Sequence, residues 1–260
     1  MSTFAQRPFP TGTRRYRFSR TLAAVAGLLA VGLAVGGAVS RSKRRARVTI
    51  DAADFEMGAN DGERDEKPVH REHVARFAIE RREVSVGDYA RCVQQKRCAP
   101  AGTFHERCVA KSGGSANLPI NCVTFEQASA YCAFRGGRLP TEVEWEYAAR
   151  RGEPRRYPWG GEALVQQACW QKAAPCPVGT TVRDRSPFGV LDMAGNVSEW
   201  TSSPYCDYAD AKRCKAGVRV TRGGSFELTD ASYLRTTYRD WVKEADAGYN
   251  LGMRCAFEAP

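Results

Sequence analysis

The sequence predicts an α+β domain, loop-rich and stapled by disulfides, behind an N-terminal transmembrane helix. Three observations carry this. Helix caps fall only between Ser85 and Arg151, the chain beyond Gly152 is dense in Gly, Pro, Asp and Trp, and all ten cysteines lie between Cys92 and Cys255. A long stretch without regular structure is uncommon inside a compact domain and needs covalent or metal staples.

Residues 1–20 are polar and basic and read as disordered. From Thr21 to Val39 nineteen residues carry no charge. As a helix they span roughly 28 Å, close to the hydrocarbon thickness of a bilayer. This segment, 21–39, reads as a transmembrane signal anchor; the alternative is a signal peptide cut near Ala38–Ser40. Arg14–Arg15 hints at twin-arginine export, but Arg17 stands where that signal wants an apolar residue. Residues 40–47 form a basic linker, and 48–260 form the folded domain. Basic residues flank the apolar segment on both sides, so they do not orient it. The even number of cysteines does, because disulfides persist in oxidising compartments. A single-pass protein of the inner membrane is expected, its domain facing the periplasm or the cell exterior.

The net charge of +10 misleads. Ten of the 39 basic residues sit in residues 1–47, which hold no acid, leaving 29 against 29 acidic residues beyond. A neutral domain gives no support to nucleic-acid binding.

The elements follow in order. Val74 to Ile79 alternates like a strand. Ser85 with Asp88, Thr124 with Gln127 and Thr141 with Glu144 are helix starts, each a capping residue followed three positions later by an acid or amide. The second helix ends at Gly136–Gly137 and the third runs to Arg151. Beyond Gly152 few runs are long enough for regular structure. Spacing pairs Cys169 with Cys176 and Cys206 with Cys214, each around a short loop; the other six allow fifteen connectivities. Zinc is disfavoured, since no C-x-x-C occurs.

Several motifs then come in sequence: Phe55–Gly58, Glu83–Ser85, Gly137–Arg150 (GRLPTEVEWEYAAR), Tyr157–Gly160, Gly189–Trp200 (GVLDMAGNVSEW), Arg222–Phe226 (RGGSF) and Leu251–Cys255 (LGMRC). Together they resemble the formylglycine-generating-enzyme (sulfatase-modifying-factor) family from roughly Asp54 to Phe257. The resemblance implies an irregular, C-type-lectin-like fold. It also implies a bridge between Cys132 and Cys255, leaving Cys92, Cys98, Cys108 and Cys122 to pair in one of three ways. It implies calcium held by the Asp192 and Glu199 side chains and the Gly195 and Val197 carbonyls, chemistry suited to a hard cation. Glu63, in the acidic stretch 61–66, is a further candidate for a cation site. A second calcium site of the family, near Ala168–Trp170, is not expected, because Cys169 replaces its Asn.

The family's oxidases hold copper on two cysteines just after the GGS motif, since soft thiolates select Cu(I). Here those places fall on Leu228 and Tyr233, and no cysteine lies between Cys214 and Cys255. A further enzyme cysteine corresponds to Ala149. Copper is therefore not expected. Iron-dependent relatives use a histidine cluster, but His70, His73 and His105 are the three histidines here, and 70 and 73 face opposite sides of a strand. Two functions are expected from the resemblance: an accessory module binding a peptide, glycan or protein in the former substrate groove, or a divergent oxidoreductase akin to pyoverdine-maturation enzymes. Groove candidates are Ser225, Glu227, Asp230, Tyr233 and Arg235.

Overall fold

The protein's structure, a computed structural model, describes residues 47–111, 113–162 and 166–259. The segments 1–20 and 21–39, and the linker up to residue 46, lie outside the described residues. Among the described residues no helix is long and apolar enough to cross a membrane.

Among the described residues, three antiparallel or mixed sheets and three short α-helices make an α+β fold. Strand β1 (Arg47–Ile50) pairs with β4 (Phe77–Glu80), which pairs on its other side with β9 (Ala256–Glu258), so the two ends of the domain share one sheet. Strands β2 (Ala53–Met57) and β3 (His70–Val74) form a separate hairpin. The stretch from Val74 to Ile79 is thus not one strand. It divides at Ala75–Arg76, two exposed residues between Val74, which closes β3, and Phe77, which opens the wholly buried β4; the buried pair Val74 and Phe77, three apart, breaks the period-two phase at that point.

Helices α1 (Val86–Gln94), α2 (Phe125–Phe134) and α3 (Glu142–Arg150) start at Ser85, Thr124 and Thr141, whose hydroxyls accept from the third backbone N–H beyond. Each cap satisfies a donor the helix leaves orphaned. The Tyr89 and Tyr131 rings of α1 and α2 stack at 5.6 Å, in a core with Trp200 and Met253. Helix α3 packs Trp145 and Ala148 against Ile50, Phe55, Phe77 and Ile79.

The second half holds more regular structure than its composition announces. Strand β5 (Ser198–Asp207) turns into β6 (Asp210–Arg222), and β6 pairs with β7 (Asp240–Lys243), while β8 (Leu251–Gly252) runs parallel to β5. The expectation of a loop-rich second half holds from 151 to 197, where no described residue lies in a helix or strand, and fails over β5 and β6 for a physical reason. Residues 210–217 of β6 are all exposed, so no buried face imposes alternation. Cys206 and Cys214 face each other across this hairpin and are bridged. Further bridges join Cys92 to Cys98, Cys108 to Cys122, Cys132 to Cys255 and Cys169 to Cys176, so every cysteine is in a disulfide.

Candidate functional site

The motif residues meet in the core through charge. Glu142 and Glu146 of α3 are buried, an expensive position for carboxylates unless they are paired. Arg239 meets Glu142 through Nε at 2.6 Å and Nη2 at 2.9 Å. Arg222 meets Glu146, and Arg150 closes on the same carboxylate at 2.8 Å. Burial would push the Glu146 carboxyl up, but Arg222 and Arg150 outweigh it and hold it below its ordinary value. Arg222 also donates to the carbonyls of Thr236, Thr237 and Tyr238, fixing the chain that follows the RGGSF turn.

That turn shapes a cavity. Gly223 and Gly224 both take positive φ, and a Cβ on Gly224 would stand 2.6 Å from the Tyr233 carbonyl oxygen. The close approach brings Ser225 and Leu228 opposite Tyr233 and Tyr238 in a cavity of about 330 Å³, completed by Ser198, Thr221, Asp240 and Asn250. Ser225 is buried, and its Oγ has no hydrogen-bond partner. Through Tyr233, Tyr238 and Asp240 this cavity shares walls with a larger one of about 710 Å³, which reaches Glu63, Tyr205, Lys215 and Trp241. Together they form one groove.

The five groove candidates part company. Ser225 and Tyr233 line the groove. Glu227 adjoins it: it accepts from Asn250 Nδ2 at 3.1 Å and from Arg107 at 2.9 Å. Asp230 caps the 3-10 turn Ala231–Leu234, accepting from the Ser232 N–H at 2.8 Å. Arg235 pairs with buried Glu66 and lines a different cavity, about 470 Å³, beside Arg155 and Arg156. Tyr238, Trp241 and Lys215 were not singled out by sequence reasoning. Their only signal, isolated aromatics and a lysine in a polar hairpin, is common on any surface.

The proposed calcium ligands lie behind this groove. Asp192 is buried at φ 54°; its Oδ2 accepts from the Gly179 N–H, while Oδ1 has no partner. Asp184, buried beside it, also leaves Oδ1 open. Burial pushes the Asp192 carboxyl up to about 6 and Asp184 well above its ordinary range, each carboxylate unwelcome near its neighbours. Gly195 and Val197 donate their N–H groups to the Gly223 carbonyl and to Glu83. Both oxygens of Glu199 are taken, by Arg254 Nε at 2.9 and 2.7 Å and by Trp145 Nε1 at 2.7 Å. Among the described residues no three His, Cys, Asp or Glu side chains converge closely enough to hold a metal by themselves. His70 packs tilted against Tyr208, His73 pairs with Asp54 and His105 stacks on Tyr249.

Three sheets clamped by buried ion pairs and disulfides, with a groove at a double-glycine turn, define the class of protein to which the motifs point. The chain belongs to the sulfatase-modifying factor enzyme 1-like domain family, whose model matches residues 35–259. It is 37% identical over 161 residues to the inactive C-alpha-formylglycine-generating enzyme 2 of Mus musculus, covering 55% of this chain and 50% of that protein. It is 36% identical over 161 residues to the hercynine oxygenase of Mycolicibacterium thermoresistibile, covering 54% and 36%. Both alignments span half or less of those relatives' length. Among solved structures, PvdO from Pseudomonas aeruginosa superposes with a TM-score of 0.69 at 26% identity, over 82% of this chain and 94% of that one.

Proposed function

We propose that this domain is a binding module that does not generate formylglycine, and that its ligand is a peptide, glycan or protein segment lying in the groove from Ser225 to Lys215. The observation that supports this is the pair Leu228 and Tyr233. They line the groove at the two places where the family's oxidases carry copper thiolates, and all ten cysteines are engaged in disulfides. A leucine and a phenol cannot replace soft sulfur donors. The likeness to a relative named inactive points the same way. Anchorage in the inner membrane through residues 21–39, with the domain in the periplasm or outside the cell, completes the reading and suits five disulfides.

Calcium would serve this module as a staple behind the groove. The open oxygen of Asp192 and the Gly195 and Val197 carbonyls suit a hard cation. Glu199 fits only by sharing an oxygen with Arg254.

The test has two arms. A sulfatase-derived cysteine peptide, incubated with the chain, Cu(I), oxygen and a reductant, should keep its cysteine mass; conversion to formylglycine sinks the proposal. Peptides selected from a displayed random library should bind the chain and lose binding to Leu228→Arg, which fills the groove. Selected peptides indifferent to that change would place binding elsewhere.

A second reading, an oxidoreductase acting on a peptide or small molecule, draws on the likeness to hercynine oxygenase and PvdO and on Tyr233, whose ring meets Tyr238 edge-on at 5.0 Å over the cavity. A Tyr233→Phe chain that lost a measured turnover while keeping its stability would favour it.

A further inference from the structure

The wider half of the groove has a chemistry that the double-glycine turn does not share. Tyr205 comes from β5, Trp241 from β7, and Tyr233 and Tyr238 from the chain between the RGGSF turn and β7. Trp241 is 39% exposed and Tyr233 38%, among the few large apolar side chains so placed. Glu63, Asp65, Asp207 and Asp240 stand around them. Burial, and then Asp65 nearby, push the Asp240 carboxyl up, and the Lys215 ammonium offsets this only in part.

One cation already sits here. Lys215 Nζ lies 3.9 Å from the centroid of Trp241 and 5.0 Å from that of Tyr205. Among the described residues Lys215 makes no salt bridge, so its ammonium rests on aromatic faces, whose negative quadrupole attracts it. It reaches them from the outer half of β6, where every residue from 210 to 217 is exposed. Nothing in the core demands that position. The other strong cation of this wall, Arg239, is held by Glu142 through two hydrogen bonds and lies 4.9 Å from the Tyr205 centroid; among the described residues Trp241 has no such second cation. Without Lys215, four carboxylates would face the two rim cations Arg64 and Arg213 across an aromatic floor.

We propose that the cavity between Tyr205, Tyr238 and Trp241 is a receptor for an organic ammonium group, and that Lys215 is a resident mimic which the ligand displaces. The proposal rests on the reading of the groove as a binding site and names the chemistry of what enters it. Trp241 and Tyr205 supply the faces, Asp240 and Asp65 the countercharge, and the exposed hairpin the room for Lys215 to withdraw.

The test is calorimetric titration of the full chain with N-acetyl-Nε-trimethyllysine methylamide and with its neutral isostere, in which carbon replaces the quaternary nitrogen. The two probes have the same shape, so a difference reports charge. The cation is expected to bind about tenfold more tightly than the isostere, the scale of a partly desolvated cation–π contact. Trp241→Leu should lose most of that margin, and Lys215→Ala, which removes the competitor, should tighten cation binding. Equal binding of the two probes, no binding of either, or indifference to Lys215→Ala overturns the proposal. The same group carried in a decapeptide separates its sources: tighter binding marks a polypeptide ligand, equal binding a small molecule. Library-selected peptides that respond to Leu228→Arg but ignore Lys215→Ala and Trp241→Leu would refute the ammonium receptor while leaving the binding groove standing; indifference to Leu228→Arg would remove the groove as well.

Discussion

Arg222→Met tests whether the buried ion pairs or the apolar core hold the groove in shape. The side chain is fully buried, meets Glu146 and donates to three backbone carbonyls, those of Thr236, Thr237 and Tyr238. Methionine keeps the volume and removes the charge, so what is lost is electrostatic. Breaking a buried pair by removing one partner costs about 3–5 kcal/mol, because a charge is left uncompensated. For a domain of this size each kcal/mol lowers Tm by roughly 2–4 °C, giving a fall of about 6–20 °C. Differential scanning calorimetry under oxidising conditions reads it directly. The pH dependence is a second readout. Glu146 is held below its ordinary value of 4.5, so between those two limits the unfolded chain binds more protons than the folded one. Its contribution is therefore complete above 4.5 and declines as pH falls through the folded value. Arg222→Met should flatten that acid-side decline. A Tm fall under about 3 °C, or an unchanged acid-side slope, would show that the Arg222–Glu146 pair holds nothing.

Four further outcomes are expected. The double variant Cys132→Ser/Cys255→Ser, which opens a loop of 123 residues, should lose about 5 kcal/mol in the chain-entropy account, measured by urea unfolding. The intact mass of the domain produced under oxidising conditions should be ten hydrogens below the reduced value, two for each of five bridges; a smaller deficit means free thiols. Calcium should raise Tm and a chelator should reverse it, and Asp192→Ala should abolish the response, since it removes the oxygen that lacks a partner. Gly224→Ala should cost about 1–3 kcal/mol, through a strained φ of +69° and a clash with the Tyr233 carbonyl, and calorimetry should show it even when no ligand is present.

What the sequence made legible was local or motif-borne. A hydroxyl followed three residues later by an acid or amide stands at each of the three described helix starts, Ser85, Thr124 and Thr141, although Thr103, Thr181 and Thr237 carry the same spacing and open no α-helix. The motif blocks name the family, although their letters do not tell why they recur together. The structure supplies a reason: Glu142 and Glu146 from one block meet Arg239 and Arg222 downstream, and Glu199 meets Arg254 of another. These partners lie 55 or more positions apart in sequence, beyond any periodicity. The β5–β6 hairpin was illegible for the opposite reason, because its outer half has no buried face and its register is set by a disulfide. Of the groove, Ser225 and Tyr233 could be placed by counting from the glycines; Trp241 and Lys215 could not, since they converge only once β6 and β7 pair.

The exposed outer half of that hairpin has a consequence for how binding and folding speak to each other. Residues 210–217 rest on no core, and their attachments include the Cys206–Cys214 bridge, the ladder to β5, the Glu244 N–H on the Gly217 carbonyl and the contact of Lys215 with two rings. Local opening there is decoupled from the global transition, as in any segment with few buried contacts. Amide protons of the finger would exchange while those of α3 stay protected. Residence time in the wide half of the groove would then follow the motion of one finger and not the melting of the domain. Substitutions at its tip are free to retune the kinetics of recognition while the ion-paired interior stays as it is.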